Sequence, residues 1–157
     1  TGTLSLPAGI INNAALTNPV KSQAIYAIAS SFSLSTTLTN KLTITVTVPA
    51  GFTQADVDID ARATAYNPNT TGGADSNGAD YFNIRPVIAS VNGYGLQLLC
   101  GGSNGSGINV APFATILTGL TPGNTFTITA LMETTFLGWA ANAQNTVILS
   151  GLISWQR

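Results

Sequence analysis

Few residues in this chain have the means to do chemistry. Six carboxylates are present (Asp56, Asp58, Asp60, Asp75, Asp80 and Glu133) against five cations, and there is no histidine. Without an imidazole no Ser-His-Asp or Cys-His nucleophile can be assembled, and metal ligation by histidine is excluded. Asp56-x-Asp58-x-Asp60 has the spacing with which a calcium loop begins. Such a loop wants glycine at its sixth position and glutamate at its twelfth, where Ala61 and Asn67 stand. Val57 and Ile59, between the acids, have the pattern of a strand. Three carboxylates along one strand face also lie side by side, not across a cleft, which does not suit glycoside cleavage. The expected arrangement is a solvated acidic strand face with Arg62 beside it, and no catalytic residue, metal or cofactor. Cys100, the only cysteine, excludes an intramolecular disulfide. In Leu96-Gln-Leu-Leu-Cys100 it reads as a small core residue.

The binding candidates lie elsewhere. Asn67 to Asp80 is the longest stretch with no residue able to anchor a core, and a loop of that length in a compact domain is usually functional or mobile. Carboxylates and amides take the hydroxyls of a sugar while aromatic rings cover its apolar faces. On that chemistry Tyr66, Asn69, Asp75, Asn77, Asp80 and Tyr81 form the candidate contact set, and Trp139, in Leu137-Gly-Trp-Ala140, is the candidate ring.

The elements that must position these residues are strands. Phe126, Ile128 and Ala130 alternate with Thr125, Thr127 and Thr129, the period of a half-buried strand. The stretch before it, Thr118 to Asn124, is a corner built on Pro122 and Gly123. Leu42, Ile44, Val46 and Val48 alternate with polar residues, as do Val57, Ile59, Ala61, Ala63 and Ala65 with Asp56, Asp58, Asp60 and Arg62. Lys21 to Leu34 reads as one long strand with Tyr26, Ile28, Phe32 and Leu34 on one face. Asn83 to Val91 contains Pro86, which suggests an edge strand or a bulge, and Asn92-Gly93 is a hairpin signal. In the final strand Val147, Leu149, Ile153 and Trp155 share a face, with Ile148 and Leu152 on the other. About eight strands and no long helix predict an antiparallel, jelly-roll-like β-sandwich over residues 21–157. Residues 1–20 form a separate extended segment in which Ile11 to Asn18 has the makings of one or two helical turns.

The chain has 157 residues, 45% hydrophobic and only 7% charged, with net charge −1. Ordinary soluble domains carry about 25% charged residues. So neutral a surface must be rich in hydroxyls and amides or covered by partner subunits. Ile10, Ile11, Ala14 and Leu16, in a segment too short to stand alone, and Ile148 and Leu152, on the second face of the last strand, are the expected association surface. Nothing basic points to nucleic acid, and no apolar run is long enough to insert into a membrane. The chain opens on Thr1 without Met, the start expected of a processed product or a piece of something longer.

Thr1-Gly-Thr-Leu-Ser-Leu-Pro-Ala-Gly-Ile-Ile-Asn-Asn-Ala-Ala-Leu-Thr-Asn-Pro-Val20 resembles linkers in the tail fibres of tailed bacteriophages, where phrases of the type Ile-x-Asn-x-x-Leu-x-Asn-Pro precede a terminal head domain. Gly119-Leu-Thr-Pro-Gly-Asn-Thr-Phe126 and Leu152-Ile-Ser-Trp-Gln-Arg157 are similar to the receptor-binding tips of such fibres. The corner also resembles fibronectin type III modules, which carry Tyr where Phe126 stands. The fibre resemblance implies a homotrimer on the virion, outside the cell. It also implies a non-enzymatic adhesin for a host-surface glycan or protein. The alternative is a structural virion protein, a capsid decoration or head fibre, without receptor binding. Glycan cleavage is a third reading that rests on the carboxylates alone.

Overall fold

The computed structural model describes residues 21–67, 80–100, 106–135 and 138–157, and all nine of its elements are strands. They are β1 (Lys21–Ser30), β2 (Thr39–Thr47), β3 (Gln54–Tyr66), β4 (Asp80–Ile88), β5 (Val91–Asn92), β6 (Leu96–Cys100), β7 (Ser106–Leu117), β8 (Thr125–Thr134) and β9 (Thr146–Gln156). One sheet has the order β1-β9-β3-β7. The other runs β2-β8-β4, with β6 and the two-residue β5 on the far side of β4. Every pairing is antiparallel. Successive long strands therefore alternate between sheets, the connectivity of a jelly roll. The expected all-β sandwich is the observed one, and the short β5 brings the strand number to nine.

Alternation sets the core. β3 turns Ala55, Val57, Ile59, Ala61, Ala63 and Ala65 inward, all essentially inaccessible, and β9 adds Val147, Leu149, Ile153 and Trp155. From the other sheet come Phe82, Ile84 and Ile88 on β4, and Phe126, Ile128, Ala130 and Met132 on β8. Phe126 meets Trp155 with ring centroids 6.1 Å apart. Trp155 Nε1 donates to Gln23 Oε1 at 3.2 Å, so the buried indole keeps its hydrogen bond. Cys100 is buried, with Sγ 3.7 Å from the Ala65 carbonyl oxygen. Lys41, beside the register shift between Asn40 and Leu42, lays its ammonium 5.7 Å from the centre of the Phe32 ring. Partial burial lowers its pKa.

The corner forms as its residues dictate. Gly119 and Gly123 both take positive φ (67° and 86°). Leu120 N–H donates to the Thr53 carbonyl at 2.8 Å, and Gly123 N–H to the Val48 carbonyl at 2.9 Å. The turn from β7 to β8 is thereby tied to the turn from β2 to β3, and the chain passes from one sheet to the other. Leu120 packs on the core that contains Phe126.

Three local expectations are corrected. The first strand stops at Ser30, because Ser31 takes φ +60° and shifts the phase of the residues after it. Ile25, opposite Gly151, faces the core, while Tyr26 and Ile28 face outward with 68% and 54% of their surface exposed. Leu34 is buried through a separate bridge to Trp139. Pro86 does not mark an edge, since β4 is paired on both sides, but the other expectation, a bulge, agrees with the register, because residues 93–95 stand opposite only Arg85 and Pro86. It sits in the gap between the β6 ladder, which ends at Ile84, and the β5 ladder, which begins at Val87, where no N–H is needed. The tight hairpin is made by Ala89-Ser90, between paired Ile88 and Val91, and not by Asn92-Gly93.

Ala89 and Ser90 both have positive φ (48° and 70°), the signature of a type I′ turn. A non-glycine residue held there costs on the order of 1 kcal/mol. Ser90 is exposed, so Ser90→Gly is expected to raise stability by about 0.5–1 kcal/mol, read as a higher denaturant midpoint with unchanged slope.

Candidate functional site

The surfaces follow from the register. On the outer face of the first sheet, Asp56, Asp58, Asp60 and Arg62 run along β3. Beside them on β9 stand Ser154, Leu152, Ser150 and Ile148, and beyond those on β1, Ser22, Ala24, Tyr26 and Ile28. On the other side, β7 presents Ile116, Ala114, Pro112 and Val110, with Ile108 one row further on. This face is an acidic stripe between two apolar flanks. Leu152 and Val110 are exposed, and Ile116 exposes 61% of its surface. Ile148 and Leu152 both lie on it, where the two-faced pattern of the last strand puts them.

The outer face of the second sheet has a different chemistry. Thr43, Thr45 and Thr47 of β2 pair directly with Thr129, Thr127 and Thr125 of β8, a hydroxyl ladder that is almost wholly exposed. Beyond it, Asn83 Nδ2 donates to Glu133 Oε1 at 3.0 Å. Gln97, opposite Asn83 on β6, donates to Thr135 Oγ1 at 3.4 Å. Tyr94, between β5 and β6, is 90% exposed. These groups solvate the face without a high density of charge.

One end of the sandwich gathers the connections β1–β2, β3–β4, β6–β7 and β8–β9. Tyr66 and Tyr81 stand there, both half-buried, at the end of β3 and near the start of β4. Asp80 opens β4, but its side chain lies outside the described residues, as do Asn69, Asp75 and Asn77 and the N-terminal Ile10, Ile11, Ala14 and Leu16. Trp139 is corrected. It is 1% exposed and packs edge-on against Phe82 with centroids 6.3 Å apart, and its backbone exchanges hydrogen bonds of 2.9 and 2.7 Å with Leu34. A ring locked into the core cannot stack on a ligand.

The residue that organises this end was not singled out from the sequence. Asn145 is fully buried. Its Nδ2 donates to the Phe32 carbonyl at 2.7 Å and the Ala140 carbonyl at 3.4 Å, and its Oδ1 accepts from Tyr66 N–H at 2.8 Å. Its own carbonyl accepts from Ser31 N–H at 2.9 Å. One amide thus ties three connections together and sets the position of Tyr66. Only its place between a loop and an alternating strand hinted at this, and Asn in such a place more often faces water.

The described residues form no concave pocket and contain no group of three or more metal-ligating side chains. Among the described residues no helix is long and apolar enough to cross a membrane. No protein-family model matches the chain, and no curated protein does. Among solved structures, it is similar to one described as Desmodium yellow mottle tymovirus, with 13% identity and a TM-score of 0.40 over 99% of this chain and 95% of that one. It is also similar to one described as infectious bursal disease virus, Gx strain, with 13% identity and a TM-score of 0.37 over 87% of this chain and 32% of that one. Likenesses this distant have no bearing on what the chain does.

Expected outcomes at two places follow from the geometry. Asn145→Ala leaves the Tyr66 N–H without its acceptor and is expected to cost about 1–3 kcal/mol. Asn145→Asp sets a carboxylate against two carbonyl oxygens and should cost more at neutral pH, about 3–5 kcal/mol. Burial raises the folded-state pKa of that carboxyl above its unfolded value of about 3.9. Its deficit is therefore smallest below pH 4 and grows as pH rises through the folded pKa, which denaturant titrations at pH 3.5 and 7 will show. For Asp56, Asp58 and Asp60, side by side at about 6.6–6.8 Å per two residues, calcium is expected to leave the melting temperature unchanged. Asp58→Asn should stay within about 0.5 kcal/mol of the parent. A calcium-dependent rise that Asp58→Asn abolishes would reverse that reading.

Proposed function

We propose that this chain is a non-enzymatic structural protein of a virus particle that works through its surfaces and associates with copies of itself. The observation that carries the reading is the strand order, β1-β9-β3-β7 against β2-β8-β4-β6. This double-sheet jelly roll recurs in viral capsid and lectin domains and in cupins. A fold alone does not give a function, so the surfaces must supply the rest. The first sheet's outer face is apolar on both flanks, as a contact face is, while the second sheet turns threonines to water. The resemblance of residues 1–20 to fibre linkers adds the count of three. Ile148 and Leu152, with the β7 flank of Ile108, Val110 and Ile116, are the positions through which copies meet.

Receptor binding is the second reading, favoured by one observation: the connections gathered at one end, where the buried Asn145 amide fixes Tyr66 beside the candidate loop. A host-surface glycan or protein would be met there by Tyr66, Asn69, Asp75, Asn77, Asp80 and Tyr81.

Light scattering of the purified chain should give a mass of three copies of 16.1 kDa, 3 × 16.1 = 48.3 kDa. Antibodies against residues 21–157 should label purified particles. A stable monomer at micromolar concentration, or particles that are never labelled, would contradict the proposal. Labelled particles whose protein binds neither host cells nor a glycan array would leave the structural role and remove the adhesive one.

A further inference from the structure

We propose that the outer face of the second sheet carries a binding site for an acidic saccharide, centred on Arg85. On β4, Asn83, Arg85 and Val87 alternate with the buried Phe82, Ile84 and Ile88, so the Arg85 side chain belongs to the outer face. Leu131 of β8 stands across one ladder from it, and on the other side lie residues 93–95, which join β5 to β6. The guanidinium rests against Gly95, where a Cβ would be 3.4 Å from Nε and 3.5 Å from Nη2. Any side chain longer than a methyl group at position 95 would reach into the space that the guanidinium fills.

An arginine held in the middle of a sheet ordinarily faces an anion. Among the described residues, Arg85 makes no ion pair and no side-chain hydrogen bond, and its Nε is buried with no acceptor. The carboxylate that the register puts diagonally beside it, Glu133, accepts from Asn83 instead. A buried donor without an acceptor opposes folding, and a rule broken at one point of an otherwise consistent fold marks a functional place. Only Nε is shut off from solvent. The two terminal nitrogens are left open, a planar fork whose spacing matches a carboxylate.

The surroundings select what carries that carboxylate. Glu133 lies about 7–8 Å away along the diagonal. At that distance it repels a polyanion such as a nucleic acid, yet it can accept hydroxyl protons. Asn83 and Gln97, paired across β4 and β6, bring two amides to the same face. Thr129 is the next outward residue of β8 beyond Leu131. Tyr94, adjacent to Gly95, is 90% exposed and offers a ring to the apolar side of a sugar. One anion site among hydroxyl-binding groups and an open aromatic ring is the chemistry that recognises a uronic acid. Contacts between copies would use the first sheet, so this face stays open in an assembly.

Titration of the full, 15N-labelled chain with trigalacturonate, followed by NMR, tests this. The described residues form no cavity, so the expected dissociation constant is about millimolar. The Arg85 Nε–H resonance and the amides of Asn83, Gly95 and Gln97 should shift together. Galactotriose, the neutral counterpart, should bind about tenfold more weakly or less. Arg85→Gln should weaken trigalacturonate by about the same factor. Gly95→Val keeps the charge but crowds the guanidinium, and should also weaken binding; it serves where Arg85→Gln disturbs the sheet. An unchanged melting temperature checks each fold. Absence of shifts at about 10 mM ligand, equal binding of the neutral sugar, or full affinity in both variants would overturn the proposal. So would shifts gathered around Tyr66, which would put the sugar at the loop end of the sandwich. None of these results bears on self-association, which light scattering reads without ligand.

Discussion

The antiparallel pair β3–β9 holds the first sheet together, and the small inner face of β3 decides how the second sheet sits on it. Ala61, Ala63 and Ala65 line the half of β3 nearest the gathered connections. Across from that half, the second sheet places its bulk, Phe82 and Met132, with Trp139 against Phe82. Large side chains over small ones let two twisted sheets interdigitate at native density. Toward the other end the pairing becomes large on large, with Phe126 against Trp155. Enlarging one of those alanines would push the sheets apart where Asn145 ties the connections down, because a packed interior transmits added volume as strain.

Scarcity of charge is the second constraint, and the two outer faces meet it differently. One face exposes mainly threonine hydroxyls and a few amides, with the Glu133 carboxylate beside Asn83 and with Tyr94 and Leu99 toward the β6 side. The other keeps half of the chain's carboxylates on a single central strand and leaves apolar side chains on both sides of it. A monomer rarely leaves such a patch bare. Under the proposed function, the second sheet faces solvent and the first makes the contacts, which would tie the unusual composition to assembly.

Much of this fold could be read from the chain because strand period and burial coincide wherever one face is wet. β2, β3, β8 and β9 alternate cleanly, and their inward residues are those the pattern names. The pattern misled in β1. There the larger residues, Tyr26 and Ile28, face out and Ala27 and Ala29 face in, because one left-handed residue, Ser31, breaks the phase that joins them to Phe32 and Leu34. Backbone φ at a serine leaves no mark in the sequence. As a sign of an edge, Pro86 misled for a related reason, since its missing N–H is harmless only because two short strands share one side of β4 and leave a gap. At the candidate site, Tyr66 and Tyr81 do flank one end as the loop between them requires. Trp139 turned out to be core and Asn145 a buried tie. Which polar or aromatic loop residue becomes buried depends on long-range packing between Leu34, Phe82 and the last loop, and no local spacing encodes that.

The claim on which the account turns is that the first sheet's outer face is covered and the second sheet's is not. Thiol labelling of two single-cysteine positions in the full chain measures this directly, because native Cys100 is buried. Ala24→Cys reports on the first face and Thr127→Cys on the second, and both positions are exposed among the described residues. The account predicts that the cysteine at 24 reacts about tenfold more slowly, a covering free energy of about 1.4 kcal/mol. Equal rates at the two positions would contradict it.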